Sequence, residues 1–557
     1  MREVKDKRGL PKVQRTLLDR LVGYVDPVRG ARRLQARLAT TMLEGAWDGA
    51  SKSSRRMAGW NAPALSADAA NIPDLPTLRE RSRDLVRNNP LAAGAIKTAI
   101  SRTIGSGLAM RPAINAKALG LTDQAAQEWQ QTTKLRWEMW AERSWCDATM
   151  RHDFYELQRL AAFSAFEGGD AFAALPMLDT RGRPSPLAVL LLEADRIANP
   201  KAARDTSNMV AGIQLDANGA PIRCHVLRDH PGALAGTARL QLEGDWIDFV
   251  GATSGRRNVL HLIDPQRVGQ TRGVPYLAPV MSALKQLGRY SDAEIDAAVL
   301  NAFFAVFFKN TAGEGPDPLD SAVTGNYPGT SDAPKGSAWD GKLTSGLAVD
   351  LPAGADVESV APGRPNPNFD PFVQAVLRQI GTALEMPFEL LIKHFTSSFT
   401  ASRAALLDFG LFVRRVRGWM EAQFCQPVYE EWLRLEIASG RIAAPGFFAD
   451  LMVRHAWCGA TWTGDAMGVL NPQQETAAIE KALELKLTTR SREAMLRDGS
   501  DWEETAEELA REEATMTRLG IKAEPLAPAI AAPTAPAPTQ DDASPPARDP
   551  NEDDTDD

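Results

Sequence analysis

Cysteine is scarce in this 557-residue chain, which has only Cys146, Cys224, Cys425 and Cys458. No two of them stand at a spacing that suits a disulfide framework or a zinc cluster. A reducing compartment is the expected setting. Histidine is nearly as scarce: among His152, His225, His230, His261, His394 and His455 no pair has the i, i+4 spacing of a helical metal site. Long apolar runs are missing too. The most apolar stretch, "AAVLNAFFAVFF" at 297–308, spans twelve residues, short of the roughly 20 that a membrane helix needs. The N-terminal stretch lacks the apolar run of a secretory signal, and Glu3, Asp6 and Asp19 are out of place in a transit peptide. No G-x-S-x-G elbow and no repeat of 20 to 50 residues occurs. The expectation is a chain with no catalytic centre, no metal, no cofactor and no membrane span.

Three stretches imitate chemistry. "GSAWDGKLT" at 336–344 supplies Gly336, Gly341 and Lys342 of a phosphate loop, but Leu343 stands where a magnesium-binding hydroxyl belongs, and the lead-in "NYPGTSDAPK" is turn-rich. "HLIDPQR" at 261–267 places His261 near Asp264, as a base and its orienter would be; a strand end followed by a turn at Asp264-Pro265 explains it with fewer coincidences. Cys224 and His225 adjoin in an expected strand, which sends their side chains to opposite faces. Glu167 and Asp170, beside Gly168-Gly169, read as turn residues rather than a pair of catalytic carboxylates.

What the chain does have is length, helix and uneven charge. Hydrophobic residues make up 44% and charged residues 24%, a globular balance, and the length calls for several subdomains. Residues 1–60 carry fourteen Lys/Arg against six Asp/Glu, a basic arm with short helical pieces broken at Pro27 and Gly30. Residues 521–557 carry two against nine, with eight prolines, an acidic Pro/Ala-rich tail whose composition predicts disorder. Between them, residues 78–107 and 123–145 have helical periodicity, and Trp129, Trp137, Trp140 and Trp145 are expected as core or subunit-contact anchors. From 151 an amphipathic helix stops at Gly168-Gly169. "DAFAALPML", "LAVLLLEADRI", "GIQLDANGAPIRCHVL" and "NVLHLIDP" then read as short strands of a meander-like sheet, an α+β arrangement in a predominantly helical chain.

A helix of some thirty residues is expected after Pro279. A Gly/Pro/Asp-rich region at 311–371 follows, with a strand pair around "GLAVDLP" and "DVESVAP". A second helical region opens at "DPFVQAVLRQIGTALEM" and breaks at Pro387 and the polar "KHFTSSFTAS" of residues 393–402. It resumes from Ser402 to about Ser439 with a bend at Pro427. Thr400 or Ser402 is the expected cap of that helix. Arg414 and Arg417 share a helical face and Arg415 does not; salt bridges between subunits are their expected use. Residues 472–519 form a further charged helical block.

Six stretches together resemble the lambda family of tailed-phage portal proteins. They are "LRERSRDLVRNNPLAAGAIKTAISRTIGSGLAMRP" (78–112), "FYELQRLAAFSAFEGGDAF" (154–172), "HLIDPQRVGQTRGVPYLAPVMSALKQLGRYSDAEIDAA" (261–298), "FVQAVLRQIGTALEMPFELL" (372–391), "FTSSFTASRAALLDF" (395–409) and "FCQPVYEEWL" (424–433). They occur in the family's order, and the resemblance covers roughly residues 10–520. It implies a ring, usually of twelve copies, at one capsid vertex. Double-stranded DNA is packaged and ejected through the ring, which docks terminase, head-completion proteins and the capsid or its scaffold.

The resemblance also implies a division of the chain. Residues 1–60 would be the basic arm, 61–270 a wing, 271–310 a stem helix, 311–369 a clip and 370–392 the returning stem helix. Residues 393–402 would be a loop facing the channel, 403–469 a long wing helix and its continuation, and 470–520 a helical crown before the tail. Lys393, His394, Thr396, Ser397, Ser398 and Thr400 would face DNA, through weak contacts to phosphate that carry no sequence information. The alternatives are a nucleotide-dependent translocase using Lys342, and a minor head or adaptor protein that forms no channel.

Overall fold

The computed structural model describes residues 59–179, 182–233, 243–303, 307–310, 355–358, 368–395, 399–466, 472–497 and 502–520, with a few residues before 58. The chain divides into two units, Met1–Ala70 and Asn71–Asp557. In the first, the Asp26 carboxylate accepts from the backbone N–H groups of Val28 and Arg29, both at 3.1 Å. It caps a helical turn that begins at Pro27, a residue suited to a first turn because it has no N–H to satisfy.

The second unit begins with helices α1 (Leu75–Asn88) and α2 (Pro90–Thr103). Asn89 divides them. Its extended backbone ends α1 while its side chain accepts from Leu91 and Ala92, and Pro90 follows at the first helical position. Helix α3 (Asp123–Ala141) starts at the Thr122 cap, and α4 (Phe154–Gly168) at a reciprocal Asp153–Glu156 capping box. Trp137 on α3 is fully buried and touches Trp140, Phe154, Tyr429, Trp432 and Trp462, with ring centroids 5.1 to 5.9 Å apart. Trp137 and Trp140 are thus core anchors, as their spacing implied.

Strand β1 (Ala109–Pro112) pairs antiparallel with β11 (Ala460–Thr463). β2 (Asp170–Ala174) lies between β3 (Leu190–Glu193) and β8 (Val259–Ile263). A second sheet runs β4 (Met209–Val210), β5 (Ile213–Leu215), β6 (Pro221–Leu227), β7 (Gly244–Asp248) in sequence order; of the four stretches expected to build one meander only "GIQLDANGAPIRCHVL" lies in it, and the other three make the β3-β2-β8 sheet. β2 is buried on both faces. Its period of two sends Ala171 and Ala173 into the main core, and Phe172 and Ala174 into a smaller one with Ile213, Cys224 and Val226. Cys224 and His225 do face opposite ways: His225 bonds the Ala198 carbonyl at 2.8 Å instead.

Helix α5 (Met281–Phe303) is shorter than expected, because Phe307–Asn310 (β9) is a strand. β9 pairs with Ala355–Glu358 (β10). "DVE" is therefore a strand, paired with β9; "GLAVDLP", its expected partner, lies outside the described residues. The chain returns through α6 (Phe369–Ala383) and α7 (Phe388–Ile392) to α8 (Phe399–Met420). A π-helical turn, Glu421–Cys425, joins α8 to α9 (Gln426–Ala438). It answers Pro427, which cannot donate in a regular ladder: the N–H of Gln426 reaches five residues back to Glu421. Helices α10 (Leu451–Trp457), α11 (Pro472–Glu484), α12 (Arg490–Arg497) and α13 (Trp502–Leu519) follow. Among the described residues no helix is long and apolar enough to cross a membrane.

Candidate functional site

The polar break after α7 is held from both sides. At the end of α6, the N–H of Met386 donates to the Gly381 carbonyl at 2.9 Å, turning the chain back so tightly that a Cβ on Gly381 would lie 2.6 Å from the Met386 oxygen. The Tyr276 hydroxyl donates to the Leu384 carbonyl on the same turn. Pro387 then stands immediately before α7, whose Leu390 and Leu391 are buried against the core. Lys393 ends α7 in the left-handed region (φ 55°). Its own N–H and that of His394 both reach the Glu389 carbonyl, a C-terminal closure more often made by glycine.

Lys393, His394 and Phe395 leave this closure exposed. Thr400 is also exposed, but it is the second residue of α8 and so is not its cap; nor is Ser402, because the helix starts earlier than its polar composition implied. Thr396, Ser397 and Ser398 lie outside the described residues, as does the Gly336–Lys342 stretch.

Of the three arginines at 414, 415 and 417 on α8, two work inside the chain rather than between subunits. Arg415 meets Asp264 at 2.8 Å and Glu385 at 3.3 Å. Burial opposes the Arg415 cation, yet Glu385 and Asp264 raise its pKa. Arg417 donates to the carbonyls of Thr103 (2.7 Å) and Asp465 (2.6 Å). Arg414 is exposed. Asp264 is therefore an ion-pair partner, not the orienter of His261.

The partner of His261 is Asp170, at 3.1 Å. Asp170 is not a turn residue: it opens β2 and is completely buried. Its Oδ1 accepts from Arg79 (2.8 Å) and Arg272 (3.2 Å), and its Oδ2 from Arg272 (2.6 Å), His261 and the Gly273 N–H (3.2 Å). The remaining guanidinium donors find carbonyls, Arg79 at Gly168 and Arg272 at Ala194, Ile197 and Ala211. Two buried cations facing one anion are tolerated because all five N–H donors of Arg272 find acceptors and Arg79 bonds both the carboxylate and a carbonyl.

Burial alone would raise the Asp170 pKa; Arg272 and Arg79 outweigh it and hold the carboxyl well below the usual range. Burial, with Arg272 alongside, lowers Arg79 to about 10. Burial likewise lowers His261 despite its bond to Asp170. The cluster joins α1, the end of α4, β2, β8 and the segment entering α5. At its edge the backbones of Gly169 (φ 94°) and Gly273 pass so closely that neither position has room for a Cβ.

Neighbouring Glu193, Asp195 and His230 have the donor types of a cation site. Arg83 already pairs with Asp195 and stands 3.6 Å from Glu193, so the carboxylates hold a guanidinium. Sequence reasoning missed Arg79, Asp170 and Arg272. The signal available was a buried-type charge beside glycine in both "EGGD" and "TRGVP".

A family model described as phage portal protein, lambda family, matches residues 53–417. The chain is 25% identical over 491 residues to the portal protein of Escherichia phage N15, covering 84% of this chain and 89% of that one. It is 24% identical over 495 residues to portal protein B of Escherichia phage lambda, covering 86% and 90%. Among solved structures, the neck of an empty gene transfer agent particle aligns with a TM-score of 0.41 at 14% identity, over 74% of this chain and 92% of that one. An HK97 family portal protein from Corynebacterium diphtheriae aligns with a TM-score of 0.29 at 13% identity, over 65% and 92%. With more than half of its length matched by the family model, the chain belongs to the lambda family of phage portal proteins.

Proposed function

We propose that this chain is the portal subunit of a tailed phage, twelve copies of which close into a head-tail connector at one capsid vertex. Duplex DNA enters through the ring during packaging and leaves through it at ejection. The large terminase subunit, then head-completion proteins, dock on the ring, and the capsid or its scaffold holds it in place. The observation that carries this reading is the family match over residues 53–417.

In this reading residues 61–270 form the wing, 271–310 and 370–392 the two stem segments, 311–369 the clip, 403–469 the rear of the wing and 470–520 the crown. The break at 393–402 faces the channel. Lys393 and His394 project from a tightly closed helix end, and one lysine per copy adds charge without sequence readout. Each neutralised phosphate adds affinity by counterion release, so a conduit needs few such contacts, and the motion of the duplex requires that they be weak. The energy for translocation comes from terminase, and the portal performs no chemistry of its own.

Negative-stain microscopy with light scattering tests the reading. Closed rings of roughly 0.7 MDa, twelve copies of 60.5 kDa, with a central hole are expected. A small compact oligomer without a channel overturns it.

A further inference from the structure

The exposed face of α8 carries an apolar stripe that its own chain leaves uncovered. Leu407 is 65% exposed and Leu411 59%. One turn before them lies Ala404, also exposed, while Phe409, Phe412, Val413 and Val416 on the other side of the helix are buried in the core. Asp408 and Arg414 flank the stripe, both exposed. Among the described residues neither has an ion-pair partner in its own chain, in contrast to Arg415. A stripe with an unpaired acid and an unpaired base beside it is a surface suited to a protein partner.

The geometry of a ring identifies that partner. In a closed ring each copy has a neighbour on either side, and the wedge it occupies narrows toward the axis. Leu407 lies about 12 Å along α8 from its first residue and Leu411 about 18 Å, next to the loop assigned to the channel. A helix at the narrow end of that wedge has its own chain on one flank and a neighbouring copy on the other. We infer that Ala404, Leu407 and Leu411 form the inner seam between adjacent copies, with Asp408 and Arg414 each meeting an opposite charge on the next copy. This inference rests on the ring reading. The contact is heterologous, meeting a different face of the next copy, as ring closure requires.

The test uses the full-length chain. Leu407→Glu/Leu411→Glu is expected to fold with an unchanged melting temperature, because both side chains are exposed within one chain, but to lose more than tenfold in ring yield by light scattering. Leu411→Cys gives a second readout. The four native cysteines are buried, and burial raises Cys224 and Cys458 to about 12, so maleimide labelling reports position 411. At least tenfold slower labelling is expected in assembled rings than in unassembled chain. Normal rings from the double variant, or equal labelling of Cys-substituted position 411 in both states, overturns the seam and leaves the ring reading standing. A wild-type chain that never assembles, even with its capsid proteins, overturns both.

Discussion

Arg272 and Asp170 meet at 2.6 Å inside the second unit, both essentially inaccessible to solvent, and 102 residues apart in the chain. This pair ties the central strand β2 to the segment that enters α5. Removing its charge is expected to be costly. Asp170→Asn keeps the shape of the side chain but leaves Arg79 and Arg272 without a counter-charge, and should cost about 3–5 kcal/mol in urea unfolding. A change below about 1 kcal/mol would show that the carboxylate contributes little.

The same cluster predicts a pH dependence. His261 faces a carboxylate oxygen through Nε2, and burial lowers its pKa. The unfolded chain therefore binds more protons here once pH falls below the ordinary histidine value of about 6.5. This contribution to stability is full above that value and declines as pH falls toward the folded pKa. Melting temperature should drop between about pH 6.5 and 5, and His261→Gln, which keeps a donor to Asp170, should flatten that slope. Asp170, held low, adds a second loss only below about pH 4, its ordinary range. A wild-type profile that is flat from pH 7 to 5 would contradict the first step.

How far the sequence anticipates this structure depends on distance along the chain. The Gly168-Gly169 helix stop and the period-two strands are local signals, and both are realised. Non-local pairings are different. β1 finds β11 some 350 residues away, and nothing in "AMRP" names "ATWT". Gly-Gly-Asp resembles a turn because each residue alone favours one; only Arg79 and Arg272, distant in sequence, turn Asp170 into a buried anion. The strand at 307–310 was hidden in an apolar run that fits helix or strand equally. The polar break after α7 was legible because its composition contrasts with both flanking helices, but its far bound was not: residues 399–402, expected in the break, belong to α8.

At that break, Lys393 joins charge to an unusual backbone, and substitutions separate the two. Lys393→Gly accepts the left-handed conformation, Lys393→Ala does not favour it, and both remove the cation. Rings are expected from each, with equal changes in DNA retention or packaging efficiency, and Lys393→Arg should restore the wild-type value. Divergence of Gly from Ala in DNA retention would assign the effect to backbone shape.

Gly381 gives a prediction against helix propensity. Alanine in place of a helical glycine ordinarily stabilises by up to about 1 kcal/mol. Here the new methyl would meet the Met386 carbonyl at 2.6 Å, so Gly381→Ala should destabilise by about 1–3 kcal/mol in denaturant unfolding. Stabilisation by this variant would mean that the turn before α7 relaxes freely.

The π-helical turn has a mechanical consequence. Phe399 to Ala438 is one unbroken helical rod, about 60 Å long at 1.5 Å per residue. Near its middle, Gln423 grips both backbone groups of Ile263, accepting from the N–H at 2.7 Å and donating to the carbonyl at 2.8 Å, and the Trp419 indole adds a bond to the same carbonyl. The rod is clamped at a fulcrum on the sheet edge, with a 22-residue arm reaching forward to the polar break. A push along that arm cannot slide the helix without breaking the clamp. The α8 end of the break is thus fixed from behind as well, by an anchor on the edge of a sheet.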